Sequence, residues 1–324
     1  MLNVLTVTFP FFALVLCGFV AARRGLLPLQ AIPGLNSFVL FFALPCMLYR
    51  FGASTPMTQL LNASVALIYL LCALVMVALV VFVTLRKSGR AGVGWNDAAF
   101  GALVGAFPNT GFMGVPLLVA LLGPAAAGPA IVTILIDMVV TSSLCIGLSR
   151  LGSGTGGAGQ AVKNALKGVA TNPLPWSILL GAAMSGLHIQ LPQPLAQTVG
   201  LLADAASPVA LFTIGAVLAR SQMLAKTDRA HAVPWRNVVP VALMKLLLHP
   251  LLVFLLGGVA IQLGAPLDRF ALTVLVLLAA LPSASNVSLL AERFGADNGR
   301  IARIILVSTA AAFFSFSAAV TLMT

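Results

Sequence analysis

The chain has 324 residues, of which 60% are hydrophobic and only 8% charged, with a mean hydropathy of +1.08. Soluble domains carry roughly 25% charged residues, so this composition specifies an integral membrane protein and excludes a soluble globular one. The net charge of +11 does not imply nucleic acid, because the basic residues lie between apolar runs instead of forming one face, and the anionic cytoplasmic leaflet is the expected partner.

Taken in order, the sequence offers ten apolar spans: Leu2 to Ala22, Leu35 to Phe51, Leu60 to Leu85, Asp97 to Leu122, Gly128 to Leu148, Pro173 to Leu191, Leu195 to Ala219, Val238 to Leu263, Phe270 to Phe294 and Arg300 to Met323. Most approach the roughly 20 residues that a helix needs to cross a bilayer; the second is short. The amino terminus lacks the basic start of a cleavable signal, so the first span begins at Leu2. Cys17, Cys46, Cys72 and Cys145 stand alone in apolar segments without CxxC spacing and are expected to be small buried hydrophobes.

Lys and Arg set the expected orientation. Alternate connections carry Arg23 and Arg24; Arg86, Lys87 and Arg90; Arg150, Lys163 and Lys167; Arg220, Lys226, Arg229 and Arg236; then Arg293, Arg300 and Arg303, fifteen of the 18 basic residues. The opposite connections hold Arg50 and Arg269, and Lys245 falls within a span. The positive-inside rule places the heavily basic side in the cytoplasm and both termini outside, in the periplasm, for a multi-pass protein of the inner (plasma) membrane.

Residues 151–171, including Gly152-Ser153-Gly154-Thr155-Gly156-Gly157, read as a flexible cytoplasmic linker. It separates a first five-span repeat, 1–150, from a second, 172–324. An odd number of spans per half makes the second half enter from the other side, so similar halves form an inverted repeat. Pro10 to Pro28 resembles Pro175 to Pro192, and Ala106-Phe107-Pro108 in the fourth span resembles Ala280-Leu281-Pro282 in the ninth.

The fourth span is interrupted at Phe107-Pro108-Asn109-Thr110-Gly111-Phe112-Met113-Gly114-Val115-Pro116. Proline removes a backbone donor and clashes with the preceding turn, and glycine weakens the helix further. Irregular backbone at membrane depth survives only where protein packs it or where it lines a wet cavity, and broken helices of this kind supply the binding sites of transporters. At about 1.5 Å per residue, Pro108 and Asn109 lie roughly 17 Å into a core about 30 Å thick. Pro282-Ser283-Ala284-Ser285-Asn286-Val287-Ser288 reaches a similar depth from the other side. This second stretch reads either as a kink whose serines bond back to their own helix or as a second broken helix crossing the first. In the crossing arrangement, half-helix amino termini and the amides of Asn109 and Asn286 face an anion.

Asp137, Asp204 and Lys245 fall inside spans, where a charge costs roughly 2.5 to 3.5 kcal/mol on insertion scales. Lys245 either pairs with Asp137 or Asp204, caps carbonyls of a broken helix, or attracts the anion. Asp137, with Thr141 one turn onward, is a candidate for carrying a proton or a cation. His249, before Pro250, is either a satisfied buried histidine or a proton relay.

Pro108-Asn109-Thr110 with Met113-Gly114-Val115-Pro116-Leu117-Leu118 closely resembles the fourth-span motif of the auxin efflux carrier family. Leu281-Pro282 through Leu290-Ala291-Glu292-Arg293-Phe294-Gly295 resembles that family's ninth-span motif, with echoes at Ala43-Leu44-Pro45 and Asp204-Ala205-Ala206-Ser207-Pro208. The resemblance implies an all-α membrane fold of ten helices in two inverted five-helix repeats, similar to bile-acid/sodium symporters, with broken helices crossing in spans four and nine. It also implies an elevator-like motion of a mobile core against a scaffold. By this resemblance the substrate's carboxylate is held by Pro108, Asn109, Thr110, Gly111 and Pro116, with Pro282, Ser283, Ser285 and Asn286 opposite. The short central loop resembles bacterial members assigned to malonate, malate and other small carboxylates. One departure is that a second proline of the plant ninth-span motif stands here as Val287 or Ser288.

The leading expectation is therefore a secondary transporter of a small organic anion. A channel should show pore rings or repeated filter sequences, and an enzyme should show HExxH, GxSxG or paired histidines; the sequence has none of these. A membrane-embedded ligand sensor would use the same pocket. No cofactor or metal is expected beyond coupling ions. Coupling stays open between protons at Asp137, sodium at Ser285, Asn286 and Ser288, and uniport. Expected partners are the anion and the bilayer, with a homodimer as one assembly and no nucleic acid.

Overall fold

The computed structural model describes residues 2–54, 62–87, 93–151, 173–227 and 234–324. Beyond Leu151, the expected linker lies outside the described residues, as do Arg90, Lys163, Lys167 and Arg229. The described chain is helical, and its one pairing of extended backbone is an isolated bridge between Pro108 and Ser283.

In chain order the helices are α1 (Leu2–Arg23), α2 (Ile32–Phe38), α3 (Leu44–Ser54), α4 (Ala63–Lys87), α5 (Trp95–Ala106), α6 (Val115–Leu122), α7 (Ala127–Ile136), α8 (Ser142–Ser149), α9 (Pro173–Gly186), α10 (Gln193–Thr227), α11 (Val239–Leu243), α12 (His249–Gln262), α13 (Arg269–Ala279), α14 (Asn286–Arg293) and α15 (Asn298–Met323). Wide π-helical turns join α2 to α3 (Val39–Ala43), α7 to α8 (Asp137–Thr141) and α11 to α12 (Met244–Leu248), and another, Thr110–Gly114, leads into α6. Seven of the resulting rods are long and apolar enough to cross a membrane: Thr6–Arg23, Leu29–Ser54, Ala63–Arg86, Pro124–Ser149, Gln193–Arg220, Trp235–Gln262 and Asn298–Met323. The second is longer than the expected Leu35 to Phe51, because a tight turn at Leu29–Ala31 and Pro33 in the first turn of α2 start the rod early. The fourth and ninth expected spans are instead each divided into two short helices. α5 ends at Ala106 and α13 at Ala279, just before Pro108 and Pro282.

The chain divides into two compact units that each draw on both halves of the sequence. Unit 1 comprises Met1–Asn62, Thr110–Val132 and Asn172–Asp228; unit 2 comprises Ala63–Asn109, Thr133–Thr171 and Arg229–Thr324.

Unit 1 is organised by two helix pairs, α1 with α10 and α3 with α9. Their backbones touch through glycine. A Cβ at Gly18 would collide with the carbonyl of Phe212, and one at Gly215 with that of Val15. The second pair repeats the device: a Cβ at Gly52 would strike the Ile178 carbonyl, and one at Gly181 the Tyr49 carbonyl. In an apolar solvent, dispersion at such close contacts replaces the hydrophobic effect as the force between helices.

Unit 2 packs α4 on α5, α12 on α13 and α15 beside α11 and α14. At one end Arg300, only 3% exposed, binds three elements through its guanidinium. Nε donates to the Asn237 carbonyl (3.2 Å), Nη1 to the Asp97 carbonyl (2.8 Å) and Nη2 to the Thr84 hydroxyl (3.4 Å). Gly101 leaves room for it, since a Cβ there would lie 2.8 Å from Nη1. Beside this brace the start of α5 is tied to the turn after α14. Asn96 donates to the Phe294 carbonyl (3.1 Å), the Asp297 amide donates to the Asp97 carboxylate (2.7 Å), and Phe100 stacks on Phe294 at 5.9 Å.

Gly215→Leu is expected to force α1 from α10 and to destabilise the protein by about 1–3 kcal/mol or more through overpacking. Gly258→Ala, where an added methyl meets nothing, should be neutral or slightly stabilising, and thermal unfolding in detergent compares the two.

Candidate functional site

The candidate site is where the two interrupted helices meet in unit 2. Proline forces the residue before it out of the helical region, and Phe107 accordingly adopts φ −93°, ψ 103°. The chain then runs extended through Pro108 and Asn109. A second extended stretch, Pro282 to Ala284, lies antiparallel to it, bridged at Pro108 and Ser283. The Asn109 amide donates to the Pro282 carbonyl (2.8 Å), and the Ala284 amide donates to the Phe107 carbonyl (3.0 Å). Each break thus supplies the partners that the other has lost, which settles the second stretch as a crossing peptide and not a simple kink. The Ser288 hydroxyl does bond back to its own chain, at the Ser285 carbonyl (2.9 Å).

The crossing leaves polar atoms without partners among the described residues. Asn109 is 4% exposed, and its carboxamide makes no hydrogen bond among the described residues. Ser283 Oγ and Asn286 Oδ1 are buried and unpartnered among the described residues. Ser285 and Asn286, at the start of α14, are half-buried. The Val287 and Ser288 amides of its first turn donate to the Ala284 (3.4 Å) and Ser285 (3.2 Å) carbonyls, so what this half-helix amino terminus presents is chiefly the positive end of its dipole.

Thr110, Gly111 and Pro116 follow directly in sequence but pack within unit 1, where the Ser207 hydroxyl donates to the Phe112 carbonyl (3.4 Å). Thr110 Oγ1 is buried without a partner among the described residues, and a methyl added at Gly111 would meet nothing within 4 Å. Pro116 does not break the helix; it occupies the first turn of α6, where a missing amide costs nothing.

The buried ionisable residues form a second polar group in unit 2. Asp137 is fully buried and accepts from the Tyr69 hydroxyl (2.6 Å) and from the Thr141 hydroxyl (3.0 Å). Lys245, also fully buried, donates to the carbonyl of Ala279, the last residue of α13 (2.6 Å), and lies 3.4 Å from His249 Nδ1. Of the roles open to Lys245, the structure therefore shows carbonyl capping. The His249 ring stands 6.1 Å from that of Tyr69, and its Nε2 has no partner among the described residues. Both acidic and basic members sit on π-helical turns, which displace side chains from the ordinary helical register and recur at functional sites.

Asp204, for which charge pairing was one expected role, pairs with Arg50 in unit 1 at 2.6 Å, and its side chain is 68% exposed, so it lies apart from the buried ionisable group. Arg300, counted with the basic residues of a cytoplasmic connection at the start of the tenth span, is buried, and Cys17, expected to be buried, is exposed. Sequence reasoning missed Tyr69 and Ser308. A tyrosine inside an apolar span is itself a signal, since a buried hydroxyl requires a partner. Ser308, fully buried on α15, accepts the Ser283 amide (3.2 Å) and donates to the Ile305 carbonyl (3.0 Å); nothing in its local sequence marks that role.

Two interrupted helices joined at their breaks, in an apolar multi-helix chain, define a membrane transporter. The membrane transport protein family matches residues 3–320, and the chain belongs to this family, the auxin efflux carrier family that its motifs resemble. It is similar to the "Putative malonate transporter" of Rhizobium meliloti (strain 1021), at 30% identity over 307 residues, which cover 93% of this chain and 89% of that protein. It is also similar to "Uncharacterized transporter YfdV" of Escherichia coli (strain K12), at 26% identity over 298 residues, 88% of this chain and 86% of the relative. A protein of the same name from Shigella flexneri matches to the same extent. The protein is thus a multi-pass membrane transporter and not an enzyme.

Ser308→Ala removes the acceptor of the Ser283 amide while adding no bulk. It should cost about 1–3 kcal/mol, the range for stranding a buried donor, measurable as a lower Tm in detergent.

Proposed function

We propose that the protein is a secondary transporter of a small carboxylate, bound at the crossing of the two interrupted helices. The observation that carries this reading is the crossing itself: paired extended backbones flanked by the Asn109 carboxamide, unpartnered among the described residues, the buried Ser283 hydroxyl and the amino terminus of α14. Donors without partners beside the positive end of a helix dipole suit a carboxylate, and burial strengthens the attraction. The relative named for malonate supports a small dianion as the substrate.

Two features support the inverted repeat of ten spans in five-helix halves. The close pairs of unit 1 exchange under it, since α1 with α10 joins spans one and seven while α9 with α3 joins spans six and two, each pair through two glycines. In unit 2 the fourth and ninth spans break at prolines and bond to one another. The division of the chain into two compact units, each drawn from both halves, supports an elevator-like movement of a substrate-bearing body. The alternation of basic connections supports cytoplasmic placement of the basic ends, with both termini on the far side of the inner membrane. Asp137, with Tyr69 and Thr141, is the proposed proton-carrying group.

Malonate should raise the Tm of the detergent-purified protein, by an amount that grows with the logarithm of its concentration. Asn109→Ala should fold normally and bind malonate about ten- to a hundredfold more weakly, corresponding to the loss of one hydrogen bond to a charged group. Asp204→Asn should bind as wild type. Unchanged affinity in a folded Asn109→Ala protein would remove that residue from the site, and counterflow of labelled malonate in liposomes distinguishes a carrier from a sensor.

A further inference from the structure

In an uninterrupted helix the carbonyl of Ala279 would accept the amide of Ser283, four residues on. The break prevents this: the helix ends at Ala279 and the Ser283 amide is donated to Ser308 Oγ. The Ala279 carbonyl is therefore stranded at the carboxyl terminus of α13, an end that carries partial negative charge. In transporters with interrupted helices, such half-helix carboxyl ends and unwound carbonyls coordinate the coupling cation. Here that carbonyl is already occupied by a cation belonging to the chain, the Lys245 ammonium, at 2.6 Å.

Several features suit the ammonium to this place. It is fully buried, it makes no direct ion pair with a carboxylate among the described residues, although the buried Asp137 is near enough to attract it, and its second neighbour is a histidine nitrogen, at 3.4 Å. Its one short hydrogen bond is thus directed at the helix end. A lysine head group is a compact point charge with several donors, closer to a small cation than a guanidinium is. The π-helical turn Met244–Leu248 carries Lys245 between α11 and α12, and α12 packs on α13.

We propose that the Lys245 ammonium is a tethered cation at the broken end of α13, taking the position that a coupling sodium ion would fill, so that the protein binds its anion without sodium. The sodium dependence rests on the carboxylate reading above, whereas occupancy of the helix end by the ammonium does not. Wild-type Tm, and the Tm increase given by malonate, should be the same in sodium chloride and in choline chloride. Lys245→Ala should unfold at lower temperature in choline chloride, and methylammonium or sodium should restore its Tm progressively with concentration, as mass action at a vacated site requires. A lysine that merely filled space would show no such rescue. In this variant malonate binding should also become sodium-dependent.

The proposal is overturned if sodium strengthens malonate binding to the wild type by about tenfold or more, or if a folded Lys245→Ala protein responds to neither small cation. If malonate leaves the wild-type Tm unchanged in both salts, the carboxylate reading fails, and the rescue of Lys245→Ala without substrate still decides this one. If Lys245→Ala does not fold, Lys245→Ser, which also vacates the site, takes its place, and should both fail, the ion dependence of the wild type is decisive.

Discussion

Everything in unit 2 depends on one constraint, that backbone amides and carbonyls removed from a helix in an apolar medium must find partners within the protein. Pro108 and Pro282 each open a helix, and neither break could persist alone. They persist together because the Asn109 amide reaches the Pro282 carbonyl while the Ala284 amide reaches the Phe107 carbonyl. After this exchange the Ser283 amide and the Ala279 carbonyl still require partners from other helices, and Ser283 Oγ and Asn286 Oδ1 stay unpartnered among the described residues.

The consequences extend to the neighbouring helices. Ser308 on α15 takes the Ser283 amide, and Lys245 takes the Ala279 carbonyl, so the interruption of one span is completed by two others. Arg300 and the contacts of Asn96, Phe100 and Asp97 secure the ends of α5 and α14 that lie away from the breaks. The irregular backbone is thereby held in a defined geometry from both sides, as a binding site requires. Unit 1 follows a different logic: its α1–α10 and α3–α9 pairs use glycine to bring regular helices into backbone contact.

Errors in the sequence reading share a physical origin. A charge within an apolar run marks depth along the chain, but exposure depends on which way the helix faces. Asp204 and Lys245 occupy comparable sequence contexts, yet one meets Arg50 on a surface and the other a buried helix end. Arg300 was legible as a basic residue at a span boundary; that it points inward follows from the space left at Gly101, which is two hundred residues distant in sequence. Tyr69 is recognisable in principle as a polar group in an apolar span, although its partner Asp137 is not.

The sequence by itself determined the membrane class, the family, the location of both helix breaks and the residues that flank them, because composition, proline chemistry and short motifs are local properties. It also identified Asp137 and Lys245 as exceptional, since burying a charge is costly wherever it occurs. Only the tertiary structure decided that the two breaks bond to each other, that Ser308 and Lys245 complete them, that Asp137 is held by Tyr69 and Thr141, and that the compact units interleave both halves of the chain. These are pairings between segments far apart in sequence, and a hydrogen-bond partner supplied by packing leaves no periodicity or spacing in the chain from which it could be read.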